Sequence, residues 1–102
     1  MQAELPESTV PVHDSAVLRL LVRNHAGVMS HVCGLFARRA FNVEGILCVP
    51  VGDRTRSAVL LLVNEDARLE QLVRQLRKLE DVVEVHRDPG AHAAFAAIGR
   101  FV

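Results

Sequence analysis

The sequence predicts an α+β sandwich in which two helices cover one face of a four-stranded antiparallel sheet. Three observations lead to this fold class. Apolar residues alternate with a period of two in some segments and recur every three or four residues in others, which are the periods of strands and helices. These segments follow one another as strand, helix, strand, strand, helix, strand. Right-handed crossovers in that order give the ferredoxin-like βαββαβ arrangement, with both helices on the same face.

The first half of the chain supplies a strand, a helix and a second strand. Residues 16–23 form the first strand, because their side chains alternate between an apolar set and a set that contains two arginines. Residues 27–40 form the first helix, whose apolar side chains fall on neighbouring turns. Phe41-Asn42 ends this helix, and residues 43–51 are predicted to form the second strand.

The second half supplies a strand, a helix and a final strand. Gly52-Asp53-Arg54 is a turn of hairpin type that leads into the third strand at residues 55–63. The second helix carries an apolar stripe at helical spacing, formed by Leu69, Leu72, Val73, Leu76 and Leu79. We expect Asn64 to cap the start of this helix. Residues 82–87 form the fourth strand, which Asp88-Pro89-Gly90 ends.

The chain divides into an arm, one domain and a tail. Residues 1–14 contain two prolines and no periodicity, which is typical of a flexible arm, and the domain spans residues 15–88. The tail, residues 89–102, carries apolar side chains three apart, namely Phe95, Ile98 and Phe101. We expect it to dock on the open face of the sheet or on a partner subunit. A frayed terminus is the alternative.

The composition narrows the classes of function. The chain of 102 residues has 12 basic and 12 acidic residues, and this balance argues against nucleic acid as a partner. The absence of net charge permits self-association. No apolar run is as long as a membrane span, and the first residues have neither the basic nor the apolar region of a signal peptide. We therefore expect a cytoplasmic location without membrane contact. Cys33 and Cys48 are predicted to be buried free thiols rather than metal ligands.

A polar turn precedes the first helix and is a candidate binding site. The turn reads Asn24-His25-Ala26-Gly27. In the first turn of a helix the backbone N–H groups, here those of Val28 and Met29, lack partners inside the helix and favour an anion such as a carboxylate. Asn24 can both donate and accept hydrogen bonds, and His25 could tune the local charge near neutral pH. The alternative is that Asn24 only caps the helix or the turn.

A second asparagine, Asn42, lies at the other end of the same helix. It could end the helix as a residue that tolerates positive φ. A helix of this length, about 21 Å, keeps Asn24 and Asn42 of one chain too far apart to share a small ligand. In a two-fold dimer, Asn24 of one copy and Asn42 of the other could face the same ligand.

Residues 23–51, RNHAGVMSHVCGLFARRAFNVEGILCVPV, resemble the small regulatory subunit of acetolactate synthase (acetohydroxyacid synthase). The resemblance continues to about residue 87 through LLLVNEDARLEQLVRQLRKLEDVVEV. The domain of this family is the ACT domain, a βαββαβ module that binds amino acids at dimer interfaces. The resemblance is strongest to the short, single-domain form of the valine-sensitive bacterial isozyme.

The resemblance implies a valine site shared by two subunits. One subunit would contribute the turn and the start of the helix, namely Asn24, His25, Ala26, Gly27, Val28 and Met29. The neighbouring subunit would close the pocket with Asn42, Val43 and Ile46. Many relatives have Pro where Ala26 stands, and the loss of a pre-set φ should loosen the free turn by about 0.4 to 1 kcal/mol.

The resemblance also implies the role of the chain in its assembly. A homodimer without catalysis of its own would bind the catalytic large subunit, raise its activity and transmit feedback inhibition by valine in branched-chain amino acid biosynthesis. Thiamine diphosphate, Mg²⁺ and FAD would belong to the catalytic subunit, and this chain would hold no cofactor. Burial of the valine side chain and two charge-assisted contacts predict micromolar to millimolar binding.

Three other functions share this topology. The first is an ACT-domain amino-acid sensor for another enzyme. The second is an acylphosphatase-like hydrolase, which would use Arg23 and Asn42, but its Gly-rich phosphate cradle is missing before Gly27. The third is an RNA-recognition module, which needs stacking aromatic residues on the central strands. Those strands contain none here.

Overall fold

The computed structural model describes Val10 and residues 15–102. Apart from Val10, the predicted flexible arm at residues 1–14 lies outside the described residues. The described part contains, in chain order, the elements β1 Ser15–Arg23, α1 Val28–Arg38, β2 Val43–Val51, β3 Arg56–Asn64, α2 Leu69–Arg77, β4 Val82–Arg87 and α3 His92–Ala97. Short 3₁₀ turns, Pro89–Ala91 and Ile98–Arg100, flank α3.

The four strands form one antiparallel sheet in the order β2-β3-β1-β4. This order confirms the predicted ferredoxin-like fold class. The strands β1 and β3 lie at the centre, and β2 and β4 lie at the edges. The edge position of β2 matters for the site, because its outer backbone groups have no strand partner among the described residues.

The core lies between the sheet and the helices α1 and α2. It is built almost wholly from Leu and Val, as the composition predicts. The aromatic contribution comes from Phe36 and Phe41, whose rings meet edge to face with centroids 5.9 Å apart. The buried stripes of both helices are those predicted, apart from Leu79, which is only partly buried against the core.

The helix α1 ends two residues earlier than predicted. The chain leaves it through Ala40, which has a positive φ of 51°, and the amide of Phe41 donates to the carbonyl oxygen of Phe36 at 2.8 Å. This is a left-handed helix end in which Ala occupies the position that Gly usually fills. Asn42 follows this cap, so the interpretation of Asn42 as the residue of positive φ is wrong.

The prediction that Asn64 caps α2 is wrong. Asn64 is the last residue of β3, and α2 begins only at Leu69. The turn between them is held by Asp66, whose carbonyl oxygen accepts from the amide of Leu69 at 3.0 Å and whose Oδ1 accepts from the amide of Arg68 at 2.7 Å. The strand runs one residue further than its apolar pattern, which moves the helix start along the chain.

The strand β2 contains a bulge near its beginning. Val43 pairs with Val63 and Gly45 pairs with Leu62, so Glu44 is one extra residue on β2. Beyond the bulge, Ile46 pairs with Leu61. The bulge therefore places Val43 and Ile46 on the helix-covered face, since Val63 and Leu61 belong to the main core. In a regular strand, residues three apart would point to opposite faces.

The other face of the sheet is partly covered by the chain's own tail. Phe95 of α3 is 4% exposed and packs with Val17 and Leu62. This agrees with the predicted docking of the tail on the open face. The prediction does not extend to the whole stripe, because Ile98 is half-buried and Phe101 is 82% exposed.

The two cysteines are less buried than predicted. Cys33 is half-buried, and Cys48 is exposed on the edge strand β2. Side chains of edge strands reach solvent even where the sequence is apolar. No group of three or more His, Cys, Asp or Glu side chains in the described residues is placed to bind a metal ion. None of the described helices has both the length and the apolar character needed to cross a membrane.

Candidate functional site

The turn that precedes α1 is tied to the hairpin between β2 and β3. The amide of Asn24 donates to the carbonyl oxygen of Thr55 at 2.9 Å, and its side-chain Nδ2 donates to the carbonyl oxygen of Arg54 at 2.8 Å. The N-cap of α1 is Gly27, with φ at 88° and without any side-chain hydrogen bond. The alternative that Asn24 caps α1 is therefore wrong. Its side chain fixes the position of the turn instead.

The turn and the first residues of α1 carry one acceptor and one donor without a protein partner in the described part of the chain. Within the described residues, the Oδ1 atom of Asn24 and the amide N–H of Met29 have no hydrogen-bond partner. The amide of Val28 is already engaged, at 3.4 Å, by the carbonyl oxygen of His25. Of the two amides expected to lack a partner, that of Met29 has none among the described residues, whereas that of Val28 makes a long hydrogen bond. An acceptor beside a helix start suits a ligand that carries both an ammonium and a carboxylate group.

His25 links this turn to the chain segment before β4. Its Nδ1 lies 2.7 Å from the carbonyl oxygen of Ala26, and its Nε2 lies 2.7 Å from Oδ1 of Asp81. Both neighbours are acceptors, so the imidazolium form satisfies both ring nitrogens. The hydrogen bond with Asp81, aided by the Ala26 carbonyl, raises the pKa of His25 above its ordinary value. The same bond lowers the pKa of Asp81.

Asp81 is a site residue that sequence reasoning missed. It is partly shielded from solvent and also lies 3.6 Å from Nδ1 of His31, and its carbonyl oxygen accepts from the amide of Arg23 at 2.9 Å. Nothing in the local sequence around Asp81 distinguishes it from an ordinary loop residue. Only the sheet, which pairs β1 with β4, brings it to the turn.

The residues predicted to close the pocket from the neighbouring subunit, Asn42, Val43 and Ile46, lie toward the other end of α1; Val43 and Ile46 are called the apolar wall. Asn42 is exposed, Val43 is half-buried against the core, and Ile46 is 45% exposed on β2. The 11 residues of α1 span about 16 Å, which separates this wall from the turn. A cleft of about 200 Å³ at the end of α1, lined by Arg39, Phe41, Arg68, Gln71 and Leu72, contains none of the predicted site residues. One chain therefore does not bring the turn residues together with Asn42, Val43 and Ile46.

Comparison with known proteins identifies the family. The family model described as the AHAS small subunit-like ACT domain matches residues 18–84. The chain belongs to this family. The match covers most of the sheet, α1 and α2, and with them the turn at Asn24 and the β2 residues Val43 and Ile46.

Individual relatives agree with this assignment. The chain is 60% identical over 89 residues to the small subunit of acetolactate synthase isozyme 1 from Escherichia coli strain K12, and the match covers 87% of this chain and 93% of that protein. It is 43% identical over 70 residues to the acetolactate synthase small subunit of Haemophilus influenzae, covering 68% of this chain and 43% of that longer protein. The crystal structure of the acetolactate synthase small subunit from Thermotoga maritima superimposes with a TM-score of 0.67 at 35% identity, over 76% of this chain and 50% of that one.

The family membership fixes the general role of the chain. Small subunits of acetolactate synthase are regulatory ACT-domain proteins that are not catalytic alone, and a small subunit implies a catalytic large subunit as its partner. The ferredoxin-like fold with an ACT-type βαββαβ order is shared with the Thermotoga maritima protein.

Proposed function

We propose that two copies of this ACT domain bind valine between them and transmit feedback inhibition to the catalytic large subunit, whose activity they also raise. The observation that carries the proposal is the division of the site. The turn at Asn24 offers an acceptor and a helix start, and the apolar wall at Val43 and Ile46 lies on the same face of the sheet but at the far end of α1.

The geometry of β2 supports a shared site. If two copies pair their free β2 edges antiparallel about the middle of the strand, the Val43 end of one strand comes beside the Val51 end of the other. Val51 leads directly into the hairpin turn to which Asn24 is bonded. Such a pairing puts the wall of one copy next to the turn of its mate. It also gives the exposed apolar side chains of β2, which are Ile46, Val49 and Val51, cross-strand neighbours on the other copy.

Each part of valine then has a counterpart. The carboxylate faces the first turn of α1, where the amide of Met29 is free, and the ammonium group faces Oδ1 of Asn24. The branched side chain of the ligand contacts Val43 and Ile46. Burial of this valine side chain contributes about 1.5 to 3 kcal/mol, which limits the affinity to the micromolar to millimolar range. One methylene is worth about 1 kcal/mol, so isoleucine should bind nearly as well.

The catalytic chemistry belongs to the partner in this proposal. Thiamine diphosphate, Mg²⁺ and FAD are bound by the large subunit in the cytoplasm, and this chain contributes the sensor for branched-chain amino acid biosynthesis. A sensor of the same domain type for a different enzyme remains the second candidate. It is disfavoured because the 60% identity to an acetolactate synthase small subunit extends over 87% of the chain. The acylphosphatase-like reading is disfavoured because Arg23 and Asn42 lie at opposite ends of α1.

Complementation between two inactive variants tests the shared site. Asn24→Ala and Asn42→Ala should each abolish valine binding in calorimetric titration and valine inhibition of the reconstituted synthase. Mixed dimers of the two variants rebuild one intact site, because Asn24 comes from one chain and Asn42 from the other. We therefore expect valine binding to return at half the wild-type stoichiometry.

The exposed Asn64→Ala variant is the matched control and should bind valine like the wild type. All variants should still activate the catalytic subunit. Valine binding that survives in Asn24→Ala, or mixed dimers without restored binding, would contradict the shared site. The same titration with leucine, isoleucine and serine, without and with the large subunit, separates a valine sensor from a sensor of another amino acid.

A further inference from the structure

The segment after β4 crosses the sheet on the face opposite α1 and α2. The amide of Asp88 donates to the carbonyl oxygen of Val17 at 2.9 Å, and its carboxylate pairs with Arg19 at 3.2 Å. His92 then places Nε2 2.8 Å from the carbonyl oxygen of Ser15 and Nδ1 2.7 Å from that of Pro89. These contacts fix the start of the segment on β1.

Further along, Phe95 reaches the edge strand. Its buried ring packs on Leu62 of β3 and Val17 of β1, and it lies directly over Gly45 of β2. A Cβ atom on Gly45 would come within 2.9 Å of Cε1 and 3.1 Å of Cδ1 of Phe95. Real Cβ atoms do not approach so closely, so the ring occupies space that exists only because residue 45 is a glycine. Phe95 thus rests on the backbone of β2 itself.

This contact lies at the β2 bulge. The extra residue, Glu44, precedes Gly45, and the bulge is what turns Val43 and Ile46 to the helix-covered face. An edge strand is paired on one side only, and a bulge interrupts that pairing locally. The ring of Phe95 supports this part of β2 by a second contact, on the sheet face opposite the side chains that the effector would contact.

We propose that Phe95 and Gly45 form a positioning pair that holds the β2 bulge and thereby sets the apolar wall of the effector site. This rests on the proposed function for the identity of the effector. Phe95 packs in a cluster separate from the one that contains Val43, and it acts through the strand backbone at Gly45. The segment carrying α3 is therefore part of the sensor, although it follows the residues that the family model matches.

Valine titration of three tail variants tests the pair. Phe95→Ala should weaken valine binding by about tenfold, within the range usual for coupled sites, and Phe95→Leu should restore part of the affinity. Phe101→Ala removes an exposed aromatic ring from the same tail and should leave the affinity unchanged. Gly45→Ala should weaken binding like Phe95→Ala, because the new methyl group expels the ring. If Phe95→Ala does not fold, Phe95→Leu and Gly45→Ala still test the pair.

Amide hydrogen exchange gives a readout that does not depend on valine. In Phe95→Ala and Gly45→Ala, the amides of residues 43–47 that bond to β3 should exchange faster, while those of β1 remain protected. Unchanged exchange at the bulge in both folded variants would overturn the positioning role. Faster exchange together with a wild-type protein that binds no valine would support the positioning role and refute the proposed effector instead. Faster exchange with unaltered valine affinity would overturn the link to the site.

Discussion

At the scale of single residues, the most informative side chain is His25. It bonds to the carbonyl oxygen of Ala26 and to Asp81, so its protonated form closes the turn and ties it to the start of β4. The positive charge of Arg23 acts in the opposite direction and by itself lowers the pKa of His25. The carboxylate of Asp81 also contacts His31. Because the pKa of His25 is raised, its contact stabilises the fold fully below the ordinary value of 6.5 and loses this effect as the pH rises through the folded value.

The titration of His25 by NMR should show this directly. We expect a pKa above 6.5 in the wild type and a return toward 6.5 in Asp81→Asn, because the main cause of the shift is removed. Asp81 has a lowered pKa, so its own contribution is present at neutral pH and is lost as the pH falls through its folded value. His92, whose pKa is raised by the carbonyl oxygens of Pro89 and Ser15, is the internal control and should keep its raised pKa in Asp81→Asn. An unchanged His25 curve in Asp81→Asn would contradict the pairing.

At the scale of elements, the end of α1 stores strain. Ala40 has a φ of 51°, a conformation that costs a residue with a Cβ atom about 1 to 2 kcal/mol. Ala40→Gly should therefore stabilise the protein by about 0.5 to 1 kcal/mol in urea unfolding, after the greater freedom of the unfolded Gly is subtracted. Ala37→Gly, a substitution at an exposed position inside the same helix, should instead destabilise by about 1 kcal/mol. A loss of stability in Ala40→Gly would contradict this assignment of the cap.

Elements with a clear period could be predicted from the sequence, and their irregular points could not. The strand at residues 43–51 and the strand at residues 82–87 match the structure, because side-chain alternation and turn residues bound them. The left-handed end at Ala40 escaped prediction because its residue type favours helices. The bulge at Glu44 escaped because no side chain there signals an extra residue. The helix α3 was expected only as a docked apolar tail, since Pro89-Gly90 indicated a stop.

In the candidate site too, features that depend on local sequence could be predicted and features that depend on distant contacts could not. The placement of Asn24 and Gly27 in a turn before α1 could be predicted, because a polar turn before a helix has a recognisable composition. The roles of Asp81 and Phe95 depend on contacts between distant segments, which a single sequence does not display. The function came from the resemblance, and the comparisons confirm the family.

At the scale of the whole molecule, the free edge of β2 determines the predicted assembly. Val49 is 55% exposed on this strand and lies outside the proposed valine contacts. Val49→Lys should dissociate the proposed dimer while leaving each copy folded, because a charged side chain on an edge strand opposes pairing with another strand. Analytical ultracentrifugation measures the change, and Val83→Lys on β4, at the opposite edge of the sheet, is the matched control. A Val49→Lys protein that remains dimeric would place the interface elsewhere.

The extra residue in β2 has a consequence for how the family can vary. The pairing of Val43 with Val63 depends on Glu44 standing outside the strand ladder, not on which side chain Glu44 carries. Substitutions at Glu44 are therefore tolerable in principle. A deletion of Glu44 would make Val43 the immediate neighbour of Gly45 and restore regular alternation with Val43 still facing the helices, whereas a slip of the pairing at constant length would turn Val43 to the face of Gly45. Two lengths of this strand are therefore compatible with the same apolar wall.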